Sequence, residues 1–224
     1  MRYVIEALRW LADGENWLGP SGIATRLGQH LLLTLLIVAI SAAIAWPVGV
    51  AIGHRRRGAA LVGALTGAAR AIPTLGLLTI FAMVLGIGLN APILALVILA
   101  IPSLLAGAYA GIQAIDPAIP AAAEAIGLSP LQIIFKVEIP LAAPVIVGGL
   151  RAAALQVVAT ATLAAYIADY GLGRFIMLGI RSSDYPQMLG GSIVVIGLAI
   201  VLEAVLAWLQ RRAKKIADPA ALAK

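Results

Sequence analysis

The sequence contains no cysteine among its 224 residues. This absence excludes disulfides, thiolate metal sites and a cysteine nucleophile. Charged residues are also scarce, since Asp, Glu, Lys and Arg make up 12% of the chain while 62% of it is hydrophobic. A soluble domain of this size could not bury that much apolar surface in one core. The composition therefore predicts an all-α protein that crosses a membrane several times.

Sequence motifs of catalysis are missing as well. The chain has no His-Glu-x-x-His motif, no Gly-x-Ser-x-Gly motif and no glycine-rich loop that ends in Gly-Lys-Ser/Thr. We therefore predict no catalytic residue, no metal site and no cofactor. An intramembrane enzyme and an ATP-independent channel or secondary transporter remain as alternatives, although carboxylates are nearly absent from the apolar runs.

Positive charge is concentrated beside apolar runs. The net charge is +6, and the cations cluster at Arg55–Arg57 and at Arg211–Lys215. Such clusters are typical of the cytoplasmic ends of membrane spans, so we do not expect nucleic-acid binding.

Apolar runs of about 20 residues fit five crossings of the hydrocarbon. We predict a membrane domain over residues 26–210, with spans at about 27–53, 59–85, 92–112, 141–165 and 188–209. Five spans put both basic clusters on one side, which predicts an N-terminus outside and a basic cytoplasmic tail over residues 211–224. Residues 1–25 are either an amphipathic segment on the bilayer surface or a flexible terminus.

Prolines occur inside several apolar runs. We expect Pro47, Pro73, Pro102 and Pro144 each to interrupt a helix. A lipid-facing helix cannot leave backbone carbonyls unpaired, so a break near Pro73 and Thr74 points to the protein interior or to a solute path.

Glycines at helical spacing have a simpler interpretation. Gly58, Gly63 and Gly67 form one set, and Gly107 and Gly111 another. Small residues let membrane helices approach closely, so we expect both sets to pack against neighbouring helices.

Three polar residues in or beside the spans have competing interpretations. His30 is expected to be an anchor at headgroup level and not a proton site. Arg70 lies within the second apolar run, where it lines a path, reaches toward the cytoplasm or pairs with another chain. Arg151 is expected to be structural, either at the inner mouth or paired with Glu138.

The 116–140 segment is too polar to cross a membrane and is patterned as two short helices. Asp116-Pro117 predicts the start of the first helix, and Gly127 its end. Ser129-Pro130 predicts the start of the second helix, which Pro140 is expected to stop. A helical hairpin with a smooth face of small residues would dock in a groove of another protein.

The spacing of this segment resembles the cytoplasmic coupling loop of binding-protein-dependent ABC importer permeases. That loop has the pattern Glu-Ala-Ala, three residues, Gly, nine residues, Ile, one residue, Leu, Pro. The alanines, Gly127, the nine-residue gap, Val137, Ile139 and Pro140 stand in register. The glutamate of the pattern falls on Ala121, and Glu124 lies one helical turn further on.

Beyond the loop, the resemblance covers about residues 26–209 and is greatest to permeases of the osmoprotectant subgroup, which import glycine betaine, choline or carnitine. Besides the 136–146 run, the stretches that carry it are Ala71–Leu75, Leu85–Gly88, Tyr109–Ile112, Gly149–Arg151, Ala161–Ala165 and Gly171–Gly173. Two stretches depart from the subgroup: Ile101–Gly107 lacks its Arg-Asn-Thr, and Ala168–Tyr170 replaces a glycine-rich run.

The resemblance implies a type I ABC importer transmembrane domain in a bacterial cytoplasmic membrane. Its partners would be two copies of an ABC ATPase, a second permease subunit and a periplasmic or lipid-anchored solute-binding protein. ATP would be bound by the ATPase alone. An amino acid, a sulfonate or an oxyanion remains as an alternative solute.

The same resemblance suggests three sets of site residues. For contact with the ATPase they are Ala121, Ala122, Ala123, Glu124, Gly127, Leu128, Ser129, Val137 and Pro140. For the translocation path they are Arg70, Pro73, Thr74, Tyr109, Thr160 and Thr162. For docking of the binding protein they are Asp169, Tyr170, Arg174 and Asp184, which could equally form a solvated loop.

Overall fold

A computed structural model describes residues 2–217, apart from the side chain of Arg70. Within this range all regular secondary structure is helical. The α-helices are α1 (Arg2–Ala12), α2 (Ile23–His54), α3 (Ala59–Ala71), α4 (Thr74–Leu85), α5 (Asn90–Gln113), α6 (Ala118–Ala125), α7 (Pro130–Ile133), α8 (Ile139–Ala161), α9 (Gly173–Ser182) and α10 (Tyr185–Ala217). Short 3₁₀ helices span Gly14–Trp17 and Thr162–Tyr166, and a π-helical turn spans Ile134–Glu138.

Among the described residues, four helical stretches are long and apolar enough to cross a membrane, and a bent pair makes a fifth if it counts as one span. The four stretches are Ile23–His54, Asn90–Gln113, Pro130–Tyr166 and Tyr185–Ala217. The bent pair is α3 with α4, whose axes differ by 81°. The all-α class with four to five apolar helices is therefore confirmed.

Three of the four prolines that were expected to interrupt helices do not interrupt them. Pro47, Pro102 and Pro144 lie inside α2, α5 and α8, which continue through them. The prediction of an interruption was wrong at these three positions, since surrounding membrane helices can compensate for one missing backbone hydrogen bond. Only Pro73 lies at a break, directly before α4.

Pro140 does not end a helix either. The chain is helical from Pro130 through α8, and the π-helical turn lies directly before the proline. In that turn the Ile139 N–H donates to the carbonyl of Ile134, five residues earlier. The hydrogen-bond register therefore changes at the residue before Pro140, which itself has no N–H to donate.

The described chain forms two compact units. Unit 1 comprises residues 2–38, 72–99 and 154–202. Its core contains Ile23, Val158, Leu172 and Phe175, and the ring of Trp10 meets that of Phe175 edge to face, with centroids 5.3 Å apart. Trp10 thus packs α1 against this core.

Unit 2 comprises residues 39–71, 100–153 and 203–217. In it α5 and α8 cross closely, because a Cβ on Gly107 would lie 2.7 Å from the Cα of Gly149. A Cβ on Gly111 would lie 3.1 Å from Ala142, so the expected packing role holds for both α5 glycines. It does not hold for Gly63 and Gly67, since a Cβ there would meet nothing within 4 Å.

Candidate functional site

The first helix of the 116–140 segment is closed at both ends by local hydrogen bonds. Asp116 Oδ1 accepts from the N–H of Ala118 at 2.9 Å, which satisfies a free donor at the start of α6. At the other end Gly127 has a φ of 92°, and the N–H groups of Gly127 and Leu128 donate to Glu124 and Ala123 at 2.9 and 3.1 Å. This is a Schellman motif, so α6 ends where the sequence predicted.

The second helix, α7, begins with a complete capping box at Ser129. Ser129 Oγ accepts from the N–H of Gln132, and Gln132 Oε1 accepts from the N–H of Ser129. Pro130 follows at the first helical position, where its missing N–H has no cost. The two caps together fix a sharp turn between α6 and α7.

Apolar side chains in the turn and in the helix that follows it are exposed. Leu131 and Phe135 are each 67% exposed, and Ile126 is 79% exposed. The residues predicted for ATPase contact differ in exposure. Five are exposed, namely Ala121, Ala122, Glu124, Gly127 and Ser129. Leu128, Val137 and Pro140 are partly buried, and Ala123 is buried, with 8% exposed. The exposed apolar groups form a surface suited to a protein partner.

The far end of the segment is anchored by a buried carboxylate. Glu138 is 2% exposed, and His54 Nδ1 donates to its Oε2 at 2.8 Å. The expected pairing of Arg151 with Glu138 was therefore wrong. Arg151 instead makes a two-point ion pair with Glu203 of α10, with its Nε at 2.7 Å, and its Nη1 donates to Gln210 at 3.1 Å.

A second polar cluster lies in unit 1 around Asp169. This carboxylate accepts from Arg26 Nη2 at 2.8 Å and from Arg174 Nε at 3.1 Å. Arg26 is 5% exposed, and its Nη1 also donates to the backbone carbonyl of Asp169 at 2.9 Å. The three residues border a cavity of about 520 Å³ that is also lined by Trp10 and Gln187.

The other two residues predicted for docking have local roles. Asp184 Oδ1 accepts from the N–H of Gln187 at 3.1 Å and caps the start of α10. Tyr170 is partly buried, and its N–H donates to Ala168 at 2.9 Å. The structure therefore brings Asp169 and Arg174 together with Arg26, which sequence reasoning did not select. The sequence signal that could have identified Arg26 is its position as a single arginine at the start of the first apolar run.

His30 is not a headgroup-level anchor. It is fully buried, and its Nε2 donates to the carbonyl of Val158 at 3.0 Å. Gln29, the residue before His30, also contacts this region: its Oε1 accepts from the N–H of Gly171, whose φ is 75°. A Cβ at Gly171 would lie 3.1 Å from His30 Nδ1, so the 169–171 loop rests directly on α2.

The residues predicted for a path are divided between the units. In unit 2 Tyr109 packs against the α2–α5 core, and the side chain of Arg70 lies outside the described part of the chain. In unit 1 Pro73 and Thr74 stand at the α3–α4 break. The hydroxyls of Thr160 and Thr162 donate to Gln156 and Ala159 at 2.7 and 2.6 Å, within their own helical stretch.

The long apolar helices are those of a polytopic membrane component, and a capped turn joins α6 and α7. A family model for the binding-protein-dependent transport system inner membrane component matches residues 36–215. The chain belongs to this family, and it is a permease subunit of an ATP-driven ABC importer located in the membrane. Membership of the family implies an ATPase, a binding protein and a second permease as partners.

Several curated proteins are similar over most of the chain. The choline transport system permease protein OpuBB of Bacillus subtilis (strain 168) is 32% identical over 82% of this chain and 85% of its own length. The carnitine transport permease protein OpuCB of Listeria monocytogenes is 34% identical over 82% of this chain and 84% of its own length. The osmoprotectant import permease protein OsmW of Salmonella typhimurium is 27% identical over 96% of this chain and 98% of its own length.

A solved structure has the same fold. The chain matches an inward-facing conformation of the MetNI methionine ABC transporter with a TM-score of 0.73 and 21% identity, over 85% of this chain and 95% of that one. This likeness concerns the fold alone.

Proposed function

We propose that this permease subunit imports an osmoprotectant such as glycine betaine, choline or carnitine. The observation that carries the proposal is the 32–34% identity to permeases named for choline and for carnitine, over more than four fifths of both chains. Because proteins of one fold can differ in function, the proposal rests on these named relatives and not on the shared fold.

In this proposal, the ATPase binds to the 116–140 segment. Its support is local: two capped helices meet at a sharp turn and expose Ile126, Leu131 and Phe135 to a partner. The residues proposed to contact the ATPase are those predicted from the sequence, which lie between Ala121 and Pro140. The sequence contains no phosphate-binding loop, so the partner hydrolyses ATP and this chain catalyses no reaction itself.

The proposed assembly has two ATPase copies and two permease subunits, either identical or related, with a periplasmic or lipid-anchored binding protein. ATP binding draws the ATPases together, and the permease pair alternates between two conformations of its path. Such a mechanism is a two-state element biased by a ligand bound elsewhere.

The orientation and the domain limits are also proposals. Residues 1–25 lie outside, residues 26–210 form the membrane domain, and residues 211–224 lie in the cytoplasm. The support is the position of the basic clusters Arg55–Arg57 and Arg211–Lys215. If the chain crosses the membrane an odd number of times in total, with one crossing before Arg55, both clusters lie on the same side.

Two further surfaces belong to the proposal. The path is lined by Arg70, Pro73, Thr74, Tyr109, Thr160 and Thr162. The binding protein docks at Asp169, Tyr170, Arg174 and Asp184; the charges of Asp169 and Arg174 beside a cavity support this, since rim charges of this kind steer association.

The solute is tested by reconstituting the chain in proteoliposomes with the ATPase and binding protein of its own organism. Uptake of labelled glycine betaine, choline and carnitine is compared with that of an amino acid, a sulfonate and an oxyanion. Uptake of an osmoprotectant that stops with a catalytically inactive ATPase supports the proposal. Exclusive uptake of another solute contradicts the assignment, and uptake without the ATPase favours a channel or secondary transporter.

A further inference from the structure

The 116–140 segment has three carboxylates, and only one of them is buried. Asp116 caps α6, Glu124 is exposed on α6, and Glu138 is 2% exposed at the end of the π-helical turn. Burial of a carboxylate is unfavourable unless it is paired and hydrogen-bonded, so the position of Glu138 depends on its partner.

That partner is the last residue of α2. His54 Nδ1 donates to Glu138 Oε2 at 2.8 Å, across 84 residues of sequence. Ile134 and Ile139, which begin and follow the π-helical turn, pack against a core formed by α2, α5, α8 and the residues just after α5: Val50, Ala108, Ile112, Ile115 and Ala142. The hydrogen bond therefore lies at the edge of a packed core, with Glu138 buried and His54 partly exposed.

The end of α2 is in turn fixed to the end of α5. Gln113 Nε2 donates to the carbonyl of Gly53 at 3.0 Å, and Arg56 Nη2 donates to the carbonyl of Ile115 at 2.6 Å. Arg56 takes a φ of 51°, a left-handed conformation that is unusual for a residue with a side chain. A Cβ at Gly53 would lie 2.8 Å from Ile112 Cβ, so the two helix ends touch.

We infer that the Glu138–His54 hydrogen bond transmits movement of the 116–140 segment to the ends of α2 and α5. Glu138 acts as a positioning residue through His54. A displacement of the proposed docking surface reaches the π-helical turn along the continuous helix from Pro130, and the hydrogen bond converts it into a displacement of α2. Since a π-helical turn can change register locally, without this bond the turn would absorb the movement instead.

This inference rests on the proposed ATPase contact, and a coupling ratio tests it. The complete importer is reconstituted in proteoliposomes, and solute molecules imported are measured per ATP hydrolysed. The key variant is His54→Leu/Glu138→Leu, since replacing a buried polar pair by apolar residues of similar volume often preserves stability. Glu138→Gln is the conservative variant, because its amide oxygen can still accept from His54. Arg2→Ala/Glu6→Ala removes an exposed cation–carboxylate pair from α1 as a matched control.

We expect the leucine pair to keep the ATPase bound and the thermal unfolding temperature near that of the wild type, while the coupling ratio falls about fivefold or more. Glu138→Gln should retain most of the ratio, and the α1 control all of it. An unchanged ratio in the leucine pair would overturn the inference, as would loss of the ATPase from that variant, which would assign the pair to docking. If the wild-type chain itself binds no ATPase, the proposed contact fails before the inference is reached.

Discussion

Gly127 shows how one residue can set the geometry of the proposed docking surface. Its φ of 92° is easily adopted only by glycine, and a Cβ there would meet nothing within 4 Å. Replacement by arginine therefore strains the turn by about 1 kcal/mol and adds a long cation between α6 and α7. We expect Gly127→Arg to reach the membrane in normal amounts but to lose solute-stimulated ATP hydrolysis in proteoliposomes.

Gly86 offers a matched control for this variant. It has a φ of 82°, equally open surroundings and a position after α4, outside the 116–140 segment. With a ψ of −179°, Gly86 has a backbone conformation that is essentially restricted to glycine, so Gly86→Arg should suffer at least as much backbone strain and yet retain solute-stimulated hydrolysis. Hydrolysis at the wild-type level in Gly127→Arg would count against the ATPase contact.

Residues whose roles are local could be predicted from sequence, and residues whose partners are distant could not. The caps at Asp116, Gly127 and Ser129 depend on neighbours within five positions, and the structure has them where the pattern indicated. The partner of His30 lies 128 residues away and that of Arg151 lies 52 residues away. A single sequence has no signal for such pairs, so the interpretation of His30 was wrong, and for Arg151 the structural role was expected but Glu138 was the wrong partner.

Arg26 and Asp169 allow a prediction about the stability of unit 1. Asp169→Asn leaves the 5% exposed guanidinium of Arg26 without a carboxylate, although the backbone carbonyl at 169 and Gln29 still accept from it. Because Asp169 itself is 61% exposed, we expect a loss of about 1–2 kcal/mol, at the lower end of what a hydrogen bond to a charged group contributes. Thermal unfolding in detergent measures it, and Arg181→Gln on the exposed side of α9 serves as control. Equal unfolding temperatures for the two variants would contradict the structural role of the pair.

At the scale of helices, the crossing of α5 and α8 leaves no room for an added side chain. A methyl group at Gly107 would lie 2.7 Å from the Cα of Gly149 on the facing helix, a distance that backbone atoms cannot accommodate without moving apart. We expect Gly107→Ala to destabilise the protein by about 1–3 kcal/mol, as overpacking of a core does. The measurement is the unfolding temperature of the purified protein in detergent.

Gly197 of α10 provides the comparison. A Cβ there would meet nothing within 4 Å, so Gly197→Ala gains helix propensity without a clash. Its unfolding temperature should equal or exceed that of the wild type. If Gly107→Ala unfolds at the same temperature as Gly197→Ala, the close crossing is not present in the membrane protein.

Helix number was predictable from the sequence, while helix continuity was not. Runs of about 20 apolar residues identify segments that can cross a membrane regardless of their neighbours. Proline has a local cost that favours a break, yet Pro47, Pro102 and Pro144 lie inside continuous helices. Whether neighbouring groups compensate for the lost hydrogen bond is a tertiary property, and only at Pro73 did the local preference decide the outcome.

At the scale of the whole molecule, the sequence identified the family because the 116–140 segment has a characteristic short-range spacing. The solute is harder to predict, since the residues proposed for the path are spread over both units and the hydroxyls of Thr160 and Thr162 donate within their own helical stretch. The orientation of the chain is accessible to direct test, because it depends on which side of the membrane the basic clusters and the 116–140 segment occupy.

The absence of cysteine makes that orientation directly measurable. Single cysteines are placed at Asp13, which precedes α2, and at Ile126, which is 79% exposed beside Gly127. With an odd number of crossings and the N-terminus outside, a membrane-impermeant maleimide should label Asp13→Cys on intact cells. Ile126→Cys should react only after the membrane is opened, and the cysteine-free wild type controls for background. Labelling of Ile126→Cys on intact cells would put the proposed docking surface outside the cell, where no ATPase could reach it.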